Sequence, residues 1–337
     1  MSASGGTSDA DAASLADRVA AAVARHRGDT SVIRCERNLL GTSGYTHDID
    51  VATAGGTVSL IVRSVPPGRA AIGRHDVSAQ AYVLSYLAGH GDVPVPAVAA
   101  CSNEPPAFYA MERAVGLISE PIFDRSHPRD AGETAAAWHR VTTVLARLHQ
   151  VPVDTLEVPP DRRLGIDDEL AKWTATMAAA DMLQDPAVAR LRSSLSDDPP
   201  TPRPPCLTHG DLRLGNVVEH NGAITAVLDW EIWALGDPRS DLAWLQLFVD
   251  PTSFPHLGRP IAGVPPAGLV AEWYGDELEE MAWFQALACF KGAAIGFLQL
   301  ARAARHDAPD ALPGGLGSAC HDLVSRGIAA LAAGPGT

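Results

Sequence analysis

The sequence predicts an α+β fold: a sheet-rich N-terminal part followed by a larger, mainly helical C-terminal part. Three observations lead there. Between residues 31 and 113, β-branched blocks and apolar alternation dominate, the pattern of half-buried strands. After Arg113 the apolar residues return at helical spacing. The 337 residues, 46% hydrophobic and 20% charged, are enough for one large domain or for two lobes that each bury a core.

Residues 1–13 are small, polar and acidic, without the features of a secretory or transit signal, and read as a disordered tail. Residues 14–26, SLADRVAAAVARH, put Leu15, Val19, Ala22 and Val23 on one helical face, with Ser14 as N-cap. SVIRCERNLL, YTHDIDVAT and TVSLIVRSV follow as three antiparallel strands, the last two joined at Gly55-Gly56. From His75 to Ala88, Val77, Tyr82, Val83, Tyr86 and Leu87 recur at helical spacing; PVPAVAA and AFYAMER then read as two more strands. Helices are expected in TAAAWHRVTTVLARLHQ and near 168–180 and 185–195, before a Pro-rich loop at 196–205. A long apolar helix over 281–305 is expected to be buried on several sides.

A formal net charge of −14 repels phosphate over most of the surface and argues against nucleic acid as a partner. It is compatible with a cationic substrate, although a soluble acidic protein needs no such explanation. Cys35, Cys101, Cys206, Cys289 and Cys320 are scattered without a C-x-x-C pair, pointing to a reducing cytoplasm and away from disulfides or structural zinc. Apolar runs fall short of bilayer-spanning length, so no membrane partner is expected. A cytoplasmic monomer or homodimer is.

The chemistry gathers between residues 209 and 241. HGDLRLGN, residues 209–216, precedes VVEHNGAITAVLDWE, in which Asn221-Gly222 is a strong hairpin signal because both positions of a type I′ turn need positive φ. That turn pairs His220 with Ala223 and Val218 with Thr225, so Asn216 is expected opposite Val227 and beside Asp229. Asp211 lies in the loop leading to the same end. Oxygen donors gathered this way suit Mg²⁺, a hard cation that takes few protein ligands when phosphate supplies others. A further carboxylate can accept a proton or orient a hydroxyl. The spacing H-x-D-x-x-x-x-N, with an Asp after a short hairpin, fits phosphoryl transfer, the first Asp acting as base and the Asn and second Asp holding metal. P-loop, dinucleotide, zincin and nucleophile-elbow motifs are absent from the sequence.

HGDLRLGN, LDWE and GDPRSDLAW together resemble the signature of the aminoglycoside phosphotransferase and choline kinase-like superfamily, small-molecule kinases with a two-lobed protein-kinase-like fold. LLGTSGYT resembles the nucleotide-covering loop, LIVR the strand bearing the phosphate-contacting cation, and FYAMER the hinge that meets adenine. RLHQV and CFKGAAIG resemble helices of the branch that includes the acyl-CoA-dehydrogenase-fused kinases. The resemblance implies a nucleotide-binding lobe at 14–113, a catalytic and substrate-binding lobe at 114–337, ATP or GTP as donor and Mg²⁺ as cofactor. It implies Asp211 as catalytic base, Asn216 and Asp229 as metal ligands, and His209 and Asp241 as supports of the loop backbone. Arg213 would contact phosphate or substrate, or close a salt bridge within the loop. Ser43 and Gly44 would approach the phosphates, Arg63 would stand where the superfamily usually has Lys, and Met111, Glu112 and Arg113 would border the adenine.

One departure bears on activity. Gln80 stands where the resemblance leads one to expect a Glu paired with the phosphate-contacting cation, and Gln cannot neutralise Arg63. Either another carboxylate such as Asp76 substitutes, or nucleotide binding weakens and the chain is a pseudokinase without turnover. Glu231 reads as a solvent-facing residue, or as a group beside the metal or the substrate, and Asp237 as a turn residue. Trp273, Tyr274 and Trp283 read as core rather than pocket lining. The expected reaction is phosphoryl transfer to a hydroxyl of a small molecule, with an aminoglycoside-like or other antibiotic or natural product preferred. A hydroxy acid or hydroxyacyl-CoA is the alternative.

Overall fold

A computed structural model of the chain describes residues 6–38, 45–66, 68–122, 129–249, 261–276, 278–305, 312 and 314–333. Two compact units emerge: Met1–Gly116 with Val218–Asn221 and Thr225–Ile232, and Leu117–Val217 with Gly222–Ile224 and Trp233–Thr337.

The first unit opens with α1 (Gly6–Arg27), which starts eight residues before the expected Ser14 cap. Residues 6–13, expected as tail, are therefore helical, and the alanines in this stretch are strong helix formers. Strands β1 (Ser31–Asn38), β2 (Tyr45–Thr53) and β3 (Gly56–Ser64) follow, then α2 (Val77–His90), β4 (Val98–Ser102) and β5 (Phe108–Glu112), forming one antiparallel sheet in the order β1-β2-β3-β5-β4. The β2–β3 turn is Ala54-Gly55, and Gly56, at φ 113°, is already the first residue of β3. Alternation sets the faces. Ile49, Val51, Leu60 and Val62 point into a core closed by Leu15, Val19 and Val23 of α1. Arg63 sits on the opposite face of β3, paired across the ladder with Tyr109.

The second unit is mainly helical. It holds α3 (Ala131–His149), begun by an Asp130–Glu133 capping box, then α4 (Ile166–Ala179) and α5 (Pro186–Asp197), which is capped by Asp185. A short strand β6 (Cys206–Thr208) leads into residues 209–216. The hairpin of β7 (Val217–His220) and β8 (Ala223–Val227) comes next in the chain, although most of its residues belong to the first unit; it turns at Asn221 and Gly222 with φ of 49° and 76°. The Thr225 hydroxyl donates to the Val218 carbonyl, in keeping with the expected register. Asn216 is not a hairpin residue, however: it ends a 3-10 turn, Leu214–Asn216, because its side chain is drawn back to Asp211. Strand β9 (Ala234–Gly236) pairs antiparallel with β6, and α6 (Pro238–Val249), α7 (Ala267–Tyr274), α8 (Met281–Arg305) and α9 (Leu316–Ala332) complete the unit.

Helix α8 packs against α4, α5, α6 and α9. Among the described residues it alone is long and apolar enough by composition to cross a membrane, and 67% of its apolar stretch is buried inside the protein. Its composition is therefore explained by its place in the core.

Candidate phosphoryl-transfer site

In the second unit, β6 and β9 deliver the loop that begins at His209. The β6–β9 ladder stops at Thr208, paired with Ala234, and the chain then turns through Gly210 at φ 83°, a conformation that disfavours any side chain. Asp241, in the first turn of α6 and 1% exposed, accepts the backbone N–H of His209 at 2.7 Å and of Gly210 at 2.8 Å. Although burial acts to raise it, the hydrogen bond shared with His149 and the nearby His149, His209 and Lys291 hold the Asp241 carboxyl below its ordinary value. His149 in turn meets the Tyr274 hydroxyl at 2.7 Å. His209 is fully buried and its Nδ1 accepts the Asp211 N–H at 3.1 Å. His209 and Asp241 thus both hold loop backbone.

Asp211 is gripped from several sides. Asn216 Nδ2 donates to its carbonyl at 2.7 Å and to its Oδ2 at 2.9 Å, and Trp244 Nε1 donates to its Oδ1 at 2.8 Å. Arg213 Nε lies 3.6 Å from the same Oδ1, while Arg213 Nη1 pairs with Glu120 at 3.0 Å. Glu120 also accepts the Gly215 N–H; burial pushes its carboxyl up, against the pull of Arg213. Arg213 therefore pairs most closely outside the loop, with Glu120, and more distantly within it, with Asp211. Lys291 of α8 donates to the Gly210 carbonyl.

In the first unit, Arg63 reaches Asp229 Oδ1 at 2.6 Å and Glu231 Oε2 at 3.3 Å. Its side chain is 12% exposed; burial works against its charge, and Asp229, Tyr109 and Glu231 more than offset this, so the guanidinium holds its proton more tightly than usual. Asp229 has φ 65°, an uncommon conformation for a non-glycine residue. Glu231 is thus an ion-pair partner, not the solvent-facing residue expected. Asp76 is not shown in the expected substitute role: it caps α2 by accepting the Ala79 N–H. Gln80 is 1% exposed, accepts the Tyr109 hydroxyl and donates to the Arg74 carbonyl at 2.9 Å. Burial pushes the Tyr109 hydroxyl up to about 12.

On β5, Met111 is buried and Glu112 pairs with Arg27; just after it, Arg113 pairs with Asp48 at 3.0 Å while its N–H bonds the Ser59 carbonyl. Ser43 and Gly44 lie outside the described residues. Trp283 and Tyr274 are buried, as expected of core, whereas Trp273 is only half-buried, edge-on to His139 at 5.0 Å; Asp237 holds Arg239 and the Arg203 N–H.

Sequence reasoning gave no role to Trp244, Lys291, Glu120 or His149. Trp244 stands three residues after Asp241, hence on the same helical face. Lys291 is the one charged residue between Met281 and Ala301 of an apolar helix, itself a signal. Glu120 carries no local signal at all.

An antiparallel sheet unit followed by a helical unit, with these loops, is the kinase-like fold of the aminoglycoside phosphotransferases. A protein from Ralstonia eutropha assigned to that class shares it with a TM-score of 0.74 at 22% identity, over 96% of this chain and 99% of its own. Macrolide 2′-phosphotransferase MphH from Brachybacterium faecium does so with a TM-score of 0.56 at 20% identity, over 90% and 98%. Residues 42–284 match the phosphotransferase enzyme family, and the chain belongs to it.

Curated relatives by sequence include acyl-CoA dehydrogenase family member 10 of Mus musculus, 32% identical over 227 residues, 64% of this chain and 20% of that protein. Acyl-CoA dehydrogenase family member 11 of Rattus norvegicus is 32% identical over 217 residues, 60% and 27%. The chain spans less than a third of these relatives' lengths.

Proposed function

We propose that the protein transfers the γ-phosphoryl group of ATP or GTP to a hydroxyl of a small molecule, with Asp211 as the catalytic residue. The observation that carries this is the hold on Asp211: a carboxylate fixed by Asn216 and Trp244 on a loop whose backbone is pinned by Asp241. A carboxylate so fixed orients an acceptor hydroxyl and takes its proton as that oxygen bonds the γ-phosphorus and the bond to the nucleoside diphosphate breaks. Asn216 turns its Nδ2 to Asp211, which aims its Oδ1 away from that carboxylate. An amide oxygen and a carboxylate are donors that suit Mg²⁺, and the resemblance assigns Asn216 and Asp229 to that role. The ion would supply charge neutralisation at the phosphates.

Arg63 would contact phosphate. Its pairing with Asp229 and Glu231 speaks against a pseudokinase, because carboxylates from another segment do the neutralising that Gln80 cannot. With the Glu112 and Arg113 side chains committed to ion pairs, this strand would meet adenine through its backbone and Met111; Ser43 and Gly44 would approach the phosphates. Asp211→Ala is expected to lower turnover by about 10²-fold or more while Mg²⁺-nucleotide binding persists; full turnover in that variant overturns the assignment.

Two acceptor classes remain in view. Aminoglycosides and macrolides follow from the solved structures that share the fold. Hydroxy acids or hydroxyacyl-CoA follow from the higher identity to acyl-CoA dehydrogenase family members. A phosphate-transfer screen over hydroxylated antibiotics and hydroxyacyl thioesters separates them.

A further inference from the structure

We infer that Trp244 and Lys291 form a positioning device for Asp211, in which the indole N–H fixes the carboxylate plane and the buried ammonium fixes the indole. The inference rests on the phosphotransferase reading, in which Asp211 orients the acceptor hydroxyl.

A short carboxylate at 26% exposure can rotate about its last bond unless both oxygens are held. Here each has a donor from a different part of the unit: Oδ1 takes Trp244 Nε1 from α6, and Oδ2 takes Asn216 Nδ2 from the 3-10 turn. Such hydrogen bonds to a charged acceptor are the stronger kind.

The indole is itself constrained. The Lys291 ammonium lies 4.0 Å from the Trp244 ring centroid and 5.1 Å from that of Trp173, within cation–π range of both. The same ammonium donates to the Gly210 carbonyl, one residue before Asp211. One side chain, 4% exposed, therefore pegs both the backbone that carries the carboxylate and the ring that grips it. Burial works to strip the Lys291 proton, and Glu169, Asp211 and Asp241 act to keep it. Phe248 closes the far side, edge-on to Trp244 at 5.2 Å and beneath the Arg213 guanidinium at 5.5 Å.

For a tryptophan in the core a carbonyl suffices as acceptor: Trp230 donates to the Val227 carbonyl and Trp283 to that of Leu195. Trp244 instead directs its N–H at the carboxylate on which the proposed chemistry turns. That choice separates a positioning residue from ordinary core.

The test uses the full chain. Trp244→Phe keeps an aromatic face for Lys291 and removes the N–H; hydrolysis of Mg²⁺-ATP or Mg²⁺-GTP should fall about tenfold to a hundredfold in kcat, with nucleotide KM within about twofold. Lys291→Met should lower kcat in the same direction. Trp283→Phe, which loses an indole hydrogen bond to a carbonyl, should lower the melting temperature and leave kcat unchanged. A second readout does not depend on turnover: among the indole N–H signals of the seven tryptophans in a ¹H–¹⁵N spectrum, the one missing in Trp244→Phe should move in Asp211→Ala. An unmoved signal, or a Trp244→Phe enzyme as active as the parent, overturns the inference. A parent protein inert toward both nucleotides, with the signal still moving, would overturn the phosphotransferase reading and leave the contact standing.

Discussion

At the scale of single residues, Gln80 shows how one position is set by its neighbours. Its amide both accepts from Tyr109 and donates to the Arg74 carbonyl, and it is 1% exposed. Gln80→Glu would bury a carboxylate and leave that carbonyl without its donor, costing about 1–3 kcal/mol of stability. A lower denaturation midpoint without tighter nucleotide binding is the expected outcome; tighter binding would mean that Arg63 had been waiting for a glutamate. Asp211, Asn216 and Asp229 stand out by their spacing around a short hairpin, and the resemblance adds a role to each. Glu231 and Glu120 were not legible, because their partners, Arg63 and Arg213, lie 168 and 93 residues away along the chain. Periodicity carries no information about such pairs.

At the scale of elements, the strands and helices follow from apolar spacing, and the ends of α2, α3 and α5 follow from capping aspartates. Short elements such as β6 and β9, three residues each, escape pattern reading because they hold fewer residues than a period needs to declare itself. Helix α4 carries a pH-dependent feature. Lys172, beside the Trp173 ring, is pushed by burial from 10.5 down to about 8. The unfolded chain then binds more protons than the folded one between those values, so this side chain makes stability rise with pH across that window. Lys172→Met should flatten the slope: the gap in denaturation midpoint between parent and variant should move in the parent's favour from about pH 8 to about 10.5. A gap independent of pH would place the ammonium in water.

At the scale of the whole molecule, the excess of acid matters more than any one surface pair. With a net charge of −14, self-repulsion opposes the compact state, and salt screens it. Raising NaCl from about 0.05 to about 0.3 M should raise the melting temperature. A fall would mean that exposed pairs such as Arg34–Glu36 outweigh the repulsion. The first unit also has a property that its strand order alone conceals. Arg63 takes its carboxylates from a segment encoded more than a hundred residues after the sheet closes at Glu112, and Val218–Asn221 and Thr225–Ile232 belong with that sheet. A piece of the gene covering residues 1–116 alone would therefore carry off a cation and leave behind the acids that neutralise it.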